Sequence, residues 1–126
     1  MYEFTVIIKN RFPMFLNLSN HPSANWSEKQ LAAAGGNVVD MPFPQVAPDG
    51  DEAYIEQLAA EYYNKILEMQ DVTTVHIMGE MNFCFTLIGK LRSNGIKCVA
   101  STTKREIVEE NDVKISKFKF VRFREY

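Results

Sequence analysis

Two short runs concentrate the side chains able to do chemistry. Asn20-His21-Pro22-Ser23 brings together an amide, an imidazole and a hydroxyl. An imidazole can donate to a phosphate, or act as acid or base near neutral pH. The Asn20 amide can reach a base edge or a ribose hydroxyl, and Ser23 can donate to a phosphate oxygen. The plain reading of the same run is a polar turn stiffened by Pro22. Ser101-Thr102-Thr103-Lys104-Arg105 places three hydroxyls beside two cations. That is the composition of a phosphate cradle, because a guanidinium offers paired donors to anionic oxygens. Gly79-Glu80-Met81-Asn82 adds a third place where backbone can approach an anion, although Glu80 opposes negative charge there and complements the helix dipole instead. No phosphate-loop glycine pattern, Cys-x-x-Cys, His-Glu-x-x-His or Gly-x-Ser-x-Gly occurs, so neither a metal set nor a serine triad is expected. His76, between Val75 and Ile77, reads as a hydrogen-bonded core or face residue.

Alternating and apolar runs supply the elements that must position these groups. Tyr2, Phe4, Val6 and Ile8 predict a strand, antiparallel at an edge, and Met14 to Ser19 a buried one. Ser27 and Gln30 fit a capping box, with Trp26 and Leu31 at the spacing of a hydrophobic staple, and Gly35-Gly36 ends that helix. These two motifs account for Trp26 and Gln30 without a ligand. Val38 to Met41 is the next strand. Asp49 and Glu52 open the longest helix, with Ile55, Leu58, Ala59, Tyr62, Ile66 and Met69 on one face. Thr73 to Met78 is a strand. A third helix buries Cys84, Leu87, Ile88 and Leu91 and stops at Asn94-Gly95. Ile96 to Ala100 is a strand, and a last hairpin turns at Asn111-Asp112. Strand and helix alternate, which predicts right-handed βαβ units in a single domain over 1–126. The expected fold is α/β: a three-layer, Rossmann-like open sheet, mostly parallel, with antiparallel edge strands and a C-terminal β-hairpin. Ligands of such sheets bind beyond the carboxyl ends of the strands, which points to residues 19–26, 41–48, 79–82 and 101–105.

Composition narrows the partners. With 126 residues, 46% hydrophobic and 24% charged, the chain can bury a core without disulfides or metal. A net charge of −2 does not favour a polyanion. Lys114, Lys117, Lys119, Arg122 and Arg124 alternate with Phe118, Phe120 and Phe123, but Glu109, Glu110 and Asp112 dilute them, so no long nucleic acid is expected. That strand reads as an edge guarded by lysines. No apolar run approaches the ~20 residues of a membrane span. The N-terminus lacks a signal-peptide pattern, and Cys84 and Cys98 look like small core residues, so a cytoplasmic protein is expected.

The run Leu18-Ser19-Asn20-His21-Pro22-Ser23, followed by Ser27 and Gln30, resembles the first ligand-facing turn of small CRISPR-associated Rossmann-like proteins of the CARF type, a family that includes ring nucleases. Val39-Asp40-Met41-Pro42 is similar to their second strand and its proline stop, and the Gly79 turn and the run from Ser101 to Arg105 look like their other strand ends. The resemblance covers the layout of residues 14–105. It implies a homodimer that binds a cyclic oligoadenylate and cleaves it without a metal or other cofactor, a ribose 2′-hydroxyl attacking its neighbouring phosphate. His21 would then position the hydroxyl or shuttle a proton, Lys104 or Arg105 would stabilise developing charge, and Asn20, Ser23, Gly79, Glu80, Ser101, Thr102 and Thr103 would bind the ligand. Two other readings stand beside it. One is a non-catalytic sensor for a nucleotide or small anion. The other is a structural subunit whose C-terminal strand augments a partner's sheet.

Overall fold

The structure, a computed structural model, describes residues 13–126, so the strand expected around Tyr2 to Ile8 lies outside the described residues. From Met14 the chain alternates as expected: β1 (Met14–Ser19), α1 (Glu28–Ala34), β2 (Val38–Asp40), α2 (Glu52–Glu68), β3 (Val72–Met78), α3 (Met81–Ser93), β4 (Lys97–Glu110) and β5 (Val113–Glu125). A 3₁₀ turn, Ser23–Asn25, lies between β1 and α1. The sheet order is β2-β1-β3-β4-β5, parallel except for the antiparallel β4–β5 pair. This is the Rossmann-like open sheet that the alternation predicts. The chain steps outward from β1 to β2, then crosses back over β1 to β3, so the winding reverses between β1 and β3.

Strand alternation sorts side chains between two unlike faces. Leu16, Leu18, Val75, Ile77 and Cys98 pack with Ala59 and Ile66 of α2 and Phe83, Leu87 and Leu91 of α3. On the other face Phe15 and Val99 meet Trp26, with Ala34, Val38 and Phe123 around them. Right-handed crossovers require this division: α1 covers one face, while α2 and α3 cover the other. Among the described residues one helix, α1, covers the second face, and Met78, Thr103 and Phe118 stay exposed beside it. Cys84 and Cys98 are free and buried, and burial raises their thiols to about 12 and about 11, so both stay protonated and inert.

The ends of the elements follow local chemistry. Ser27 Oγ caps α1 by accepting from Gln30 N, and Gly35 closes it in the left-handed region at φ 88°. The reciprocal half of the expected capping box does not form, because the Gln30 side chain turns toward Ser101. The expected staple is also replaced: Trp26 is buried against Phe15 and Phe123, and Leu31 is 38% exposed. The cap of α2 is Asp51, whose carboxylate accepts from Tyr54 N, rather than Asp49.

The largest departure lies in β4. The sequence suggests a strand ending at Ala100 and a polar loop from Ser101 to Arg105, but one strand runs unbroken to Glu110. Only Lys97, Cys98 and Val99 pair with β3; beyond them the strand has β5 as its one ladder partner among the described residues. A two-stranded ribbon is solvated on both faces, so it has no need of apolar alternation and its polar run imitates a loop. A bulge between Thr102 and Thr103, opposite Val121, adds twist. The hairpin turns at Asn111 and Asp112 as expected, with φ of 52° and 64°, the paired positive values of a type I′ turn. Glycine takes the second position of that turn with the least strain. Asp112→Gly should therefore raise the unfolding free energy by about 0.5 kcal/mol, read as a higher urea midpoint at unchanged slope.

Candidate functional site

On the half-open face, three neighbouring strands present polar side chains to one another. Asn17 of β1 lies directly opposite His76 of β3, and His76 lies opposite Val99 of β4, so Ser101 is the next residue of β4 on the same face. Asn17 and His76 are each 1% exposed. Buried polar groups of this kind need partners. The Asn17 amide nitrogen donates to the His21 carbonyl at 2.9 Å and to Asp40 Oδ1 at 3.0 Å. Both oxygens can only accept, so Asn17 Oδ1 must face the other way. There it accepts from Ser19 Oγ at 2.8 Å and lies 2.9 Å from His76 Nδ1. His76 Nδ1 therefore carries the proton, and Nε2 is the acceptor that Ser101 Oγ–H meets at 2.6 Å.

This chain of bonds holds His76 neutral. Burial, assisted by the nearby His21, lowers its pKa from 6.5 to about 4. Rings complete the enclosure: Phe15 stacks on the imidazole at 6.4 Å, while Trp26 and Phe123 meet it edge-on, each at 5.4 Å.

Above His76 and Ser101 lies a cavity of about 400 Å³. One wall comes from the turn after β1 and from α1: His21, Asn25, Trp26 and Gln30. The floor is His76, Met78 and Ser101, and the far wall is Thr103, Phe118 and Phe120 of the ribbon. Gln30 Nε2 reaches Ser101 Oγ at 3.4 Å. The cavity therefore lies at the winding reversal, where open α/β sheets bind ligands. Its polar groups are amides, hydroxyls and imidazoles, and among the described residues no Lys or Arg lines it.

The residues singled out in the sequence separate accordingly. His21, Ser101 and Thr103 line the cavity, but Ser101 to Arg105 do not act as one cradle, because a strand divides them between two faces. Thr102 turns away and exchanges hydrogen bonds with the backbone N–H and carbonyl of Arg122. Lys104 shares that other face, opposite Lys119. Arg105 returns to the cavity face beside Phe118, its cross-strand neighbour, and is exposed. Ser23 is committed to structure: its N–H and hydroxyl both donate to Asp40. Asn20 is exposed and outside the cavity lining. Gly79 lies under the Phe43 ring, which a Cβ would meet at 2.2 Å, so its bareness serves packing. Glu80 caps α3 by accepting from Phe83 N, occupying the place an anion would take. Four residues that sequence reasoning assigned to the core or to helix ends (Trp26, Gln30, His76 and Asn17) build the site. The one local sign was a histidine inside an apolar strand; its partners are visible only once strand order is known.

Among the described residues no group of three His, Cys, Asp or Glu side chains is placed to hold a metal ion, and no helix is long and apolar enough to cross a membrane. A family model described as the uncharacterized protein MJ1673 family matches residues 13–124. The chain belongs to that family. The matched stretch contains every residue that lines the cavity. Among curated proteins and solved structures, none matches the chain.

The depressed histidine makes stability depend on pH. The unfolded ring binds a proton near 6.5 and the native one only near 4. The stabilisation from a neutral His76 is fully present above about pH 6.5 and is lost as pH falls toward 4. At roughly 1.4 kcal/mol per pH unit the loss is about 3 kcal/mol. Urea titrations between pH 7.5 and 4 should show it in the wild type, and His76→Gln should flatten the dependence by that amount.

Proposed function

We propose that this protein binds a cyclic oligoadenylate-type second messenger, taking a nucleotide unit into the cavity over His76 and Ser101. The observation that carries this reading is the pairing of aromatic surfaces with amide edges at the winding reversal. Trp26, Phe118 and Phe120 supply stacking surface, and Asn25 and Gln30 supply the donor and acceptor pair that suits the N6/N7 edge of adenine. The volume of about 400 Å³ suits one nucleoside-sized unit. A cyclic ligand with several units then needs a second copy of the cavity, which a two-fold homodimer supplies.

Phosphates in this reading stay at the rim. His21 lies on one side and Arg105, paired with Phe118, on the other. Lys104 has no part, because it lies on the opposite face. Cleavage would follow the metal-free course in which the ribose 2′-hydroxyl attacks the adjacent phosphate, with His21 within the same cavity as the proton carrier. A sensor that binds without turnover differs only in that last step.

The protein should bind at least one of cyclic tri-, tetra- and hexa-adenylate in EDTA by calorimetry, and chromatography of the same mixtures reads turnover. Phe118, which is 65% exposed, can be truncated without touching the core. Phe118→Ala should weaken binding roughly 5- to 100-fold, since stacking contributes about 1–3 kcal/mol per base. Arg105→Ala should weaken it and reduce its salt dependence. No binding to any of the three rings would sink the proposal.

A further inference from the structure

The bonds beneath the cavity have a second reading that does not depend on the nucleotide proposal. A hydroxyl bonded to the acceptor nitrogen of a neutral imidazole, whose other nitrogen is held by a third group, is the arrangement that activates a serine. We propose that Ser101 is a nucleophile, with His76 as its base and Asn17 as the positioning residue, and that the cavity carries out acyl transfer on uncharged esters.

Three independent features support the assignment. The Ser101 Oγ to His76 Nε2 distance of 2.6 Å is within the range for direct proton transfer. The tautomer is imposed, because the two acceptors on the Asn17 amide nitrogen force Oδ1 toward His76 Nδ1. Ser101 also opens into the cavity, with the Gln30 amide 3.4 Å from its oxygen on the cavity side, where a donor can meet a developing oxyanion. The substrate class follows from the walls. Met78, Phe118 and Phe120 offer apolar surface and among the described residues no Lys or Arg lines the cavity, which suits an aryl or short acyl ester with no charge near the reacting carbonyl.

The steps balance without a cofactor. Ser101 Oγ bonds to the carbonyl carbon as its proton passes to His76 Nε2, and the carbonyl pair becomes an oxyanion facing Gln30. Collapse breaks the bond to the leaving alcohol, which takes the proton from Nε2. Water then bonds to the acyl carbon as its proton passes to Nε2, and collapse of the new oxyanion breaks the bond from that carbon to the Ser101 oxygen. Nε2 returns the proton to that oxygen, and the carboxylic acid departs.

Two measurements test this on the full chain. The first is incubation with an alkyl fluorophosphonate, followed by intact mass and peptide mapping. One adduct on Ser101 is expected, none with Ser101→Ala, and at least 100-fold slower labelling with His76→Gln. A Gln30→Ala variant should hydrolyse p-nitrophenyl butyrate about tenfold more slowly than the wild type. An unlabelled wild type, an adduct elsewhere, or equal labelling of a folded His76→Gln overturns the assignment. The second measurement needs no variant. The chain has only two histidines, so imidazole ¹⁵N spectra resolve them, and His76 should be the Nδ1–H tautomer. The Nε2–H tautomer would overturn the role of Asn17. Loss of that signature in a folded Asn17→Ala, together with slower labelling, supports it. The labelling and tautomer readouts use no ring ligand and the calorimetry uses no ester, so failure here leaves the nucleotide reading intact, and the converse holds too.

Discussion

Two polar side chains buried at the centre of the sheet set the terms for the rest of this molecule. Asn17 and His76 occupy adjacent strands at a depth where apolar residues would ordinarily stand. An unpaired amide or imidazole there costs about 1–3 kcal/mol each, so every donor and acceptor around them is constrained. Asp40 must end β2 where it does, the His21 carbonyl must turn inward, and Ser19 and Ser101 must point to the same side. Among the described residues, no buried side-chain nitrogen or oxygen is left without a partner. The network therefore fixes the path of the turn after β1, the register of three strands and the floor of the cavity together.

The same constraint explains why the two faces of the sheet differ. The face under α2 and α3 is closed by aliphatic and aromatic packing, and among the described residues the buried polar side chains, Asn17, Ser19 and His76, lie on the other face. The face under α1 is only partly covered. Its rings enclose the imidazole rather than one another alone: Phe15, Trp26 and Phe123 all approach His76. Trp26 also donates its indole N–H to the His21 carbonyl, the oxygen that Asn17 holds from the other side. Packing and hydrogen bonding thus meet at one turn of the chain, beside the cavity.

Much of the fold was legible in the sequence, and the reasons are local. Apolar runs mark β1 and β3, capping marks α1 and α3, and Asn111-Asp112 marks the hairpin. The site was less legible because its partners are distant in sequence and depend on strand order: Asn17 and His76 are joined only when β1 lies beside β3. Gln30 and Trp26 had sufficient local explanations as cap and staple, and those explanations hid their true neighbours. The polar run from Ser101 to Arg105 was read as a loop because a ribbon bathed by solvent on both sides loses the periodicity that identifies a strand. Strand alternation brings Ser101 to the cavity beside His21 and turns Thr102 and Lys104 to the other face, a division that a loop reading ignores.

The ribbon itself has a consequence for how such a protein can vary. Its outer stretch adds no side chain to either core cluster, yet Thr103, Phe118 and Phe120 form one wall of the cavity. Backbone pairing with β5, not core packing, holds that wall in place. Side chains along it can be exchanged while the sheet, the helices and the histidine network stay as they are. The architecture places one wall of the cavity and the integrity of the domain on separate stretches of chain, so that wall can drift while the domain is preserved.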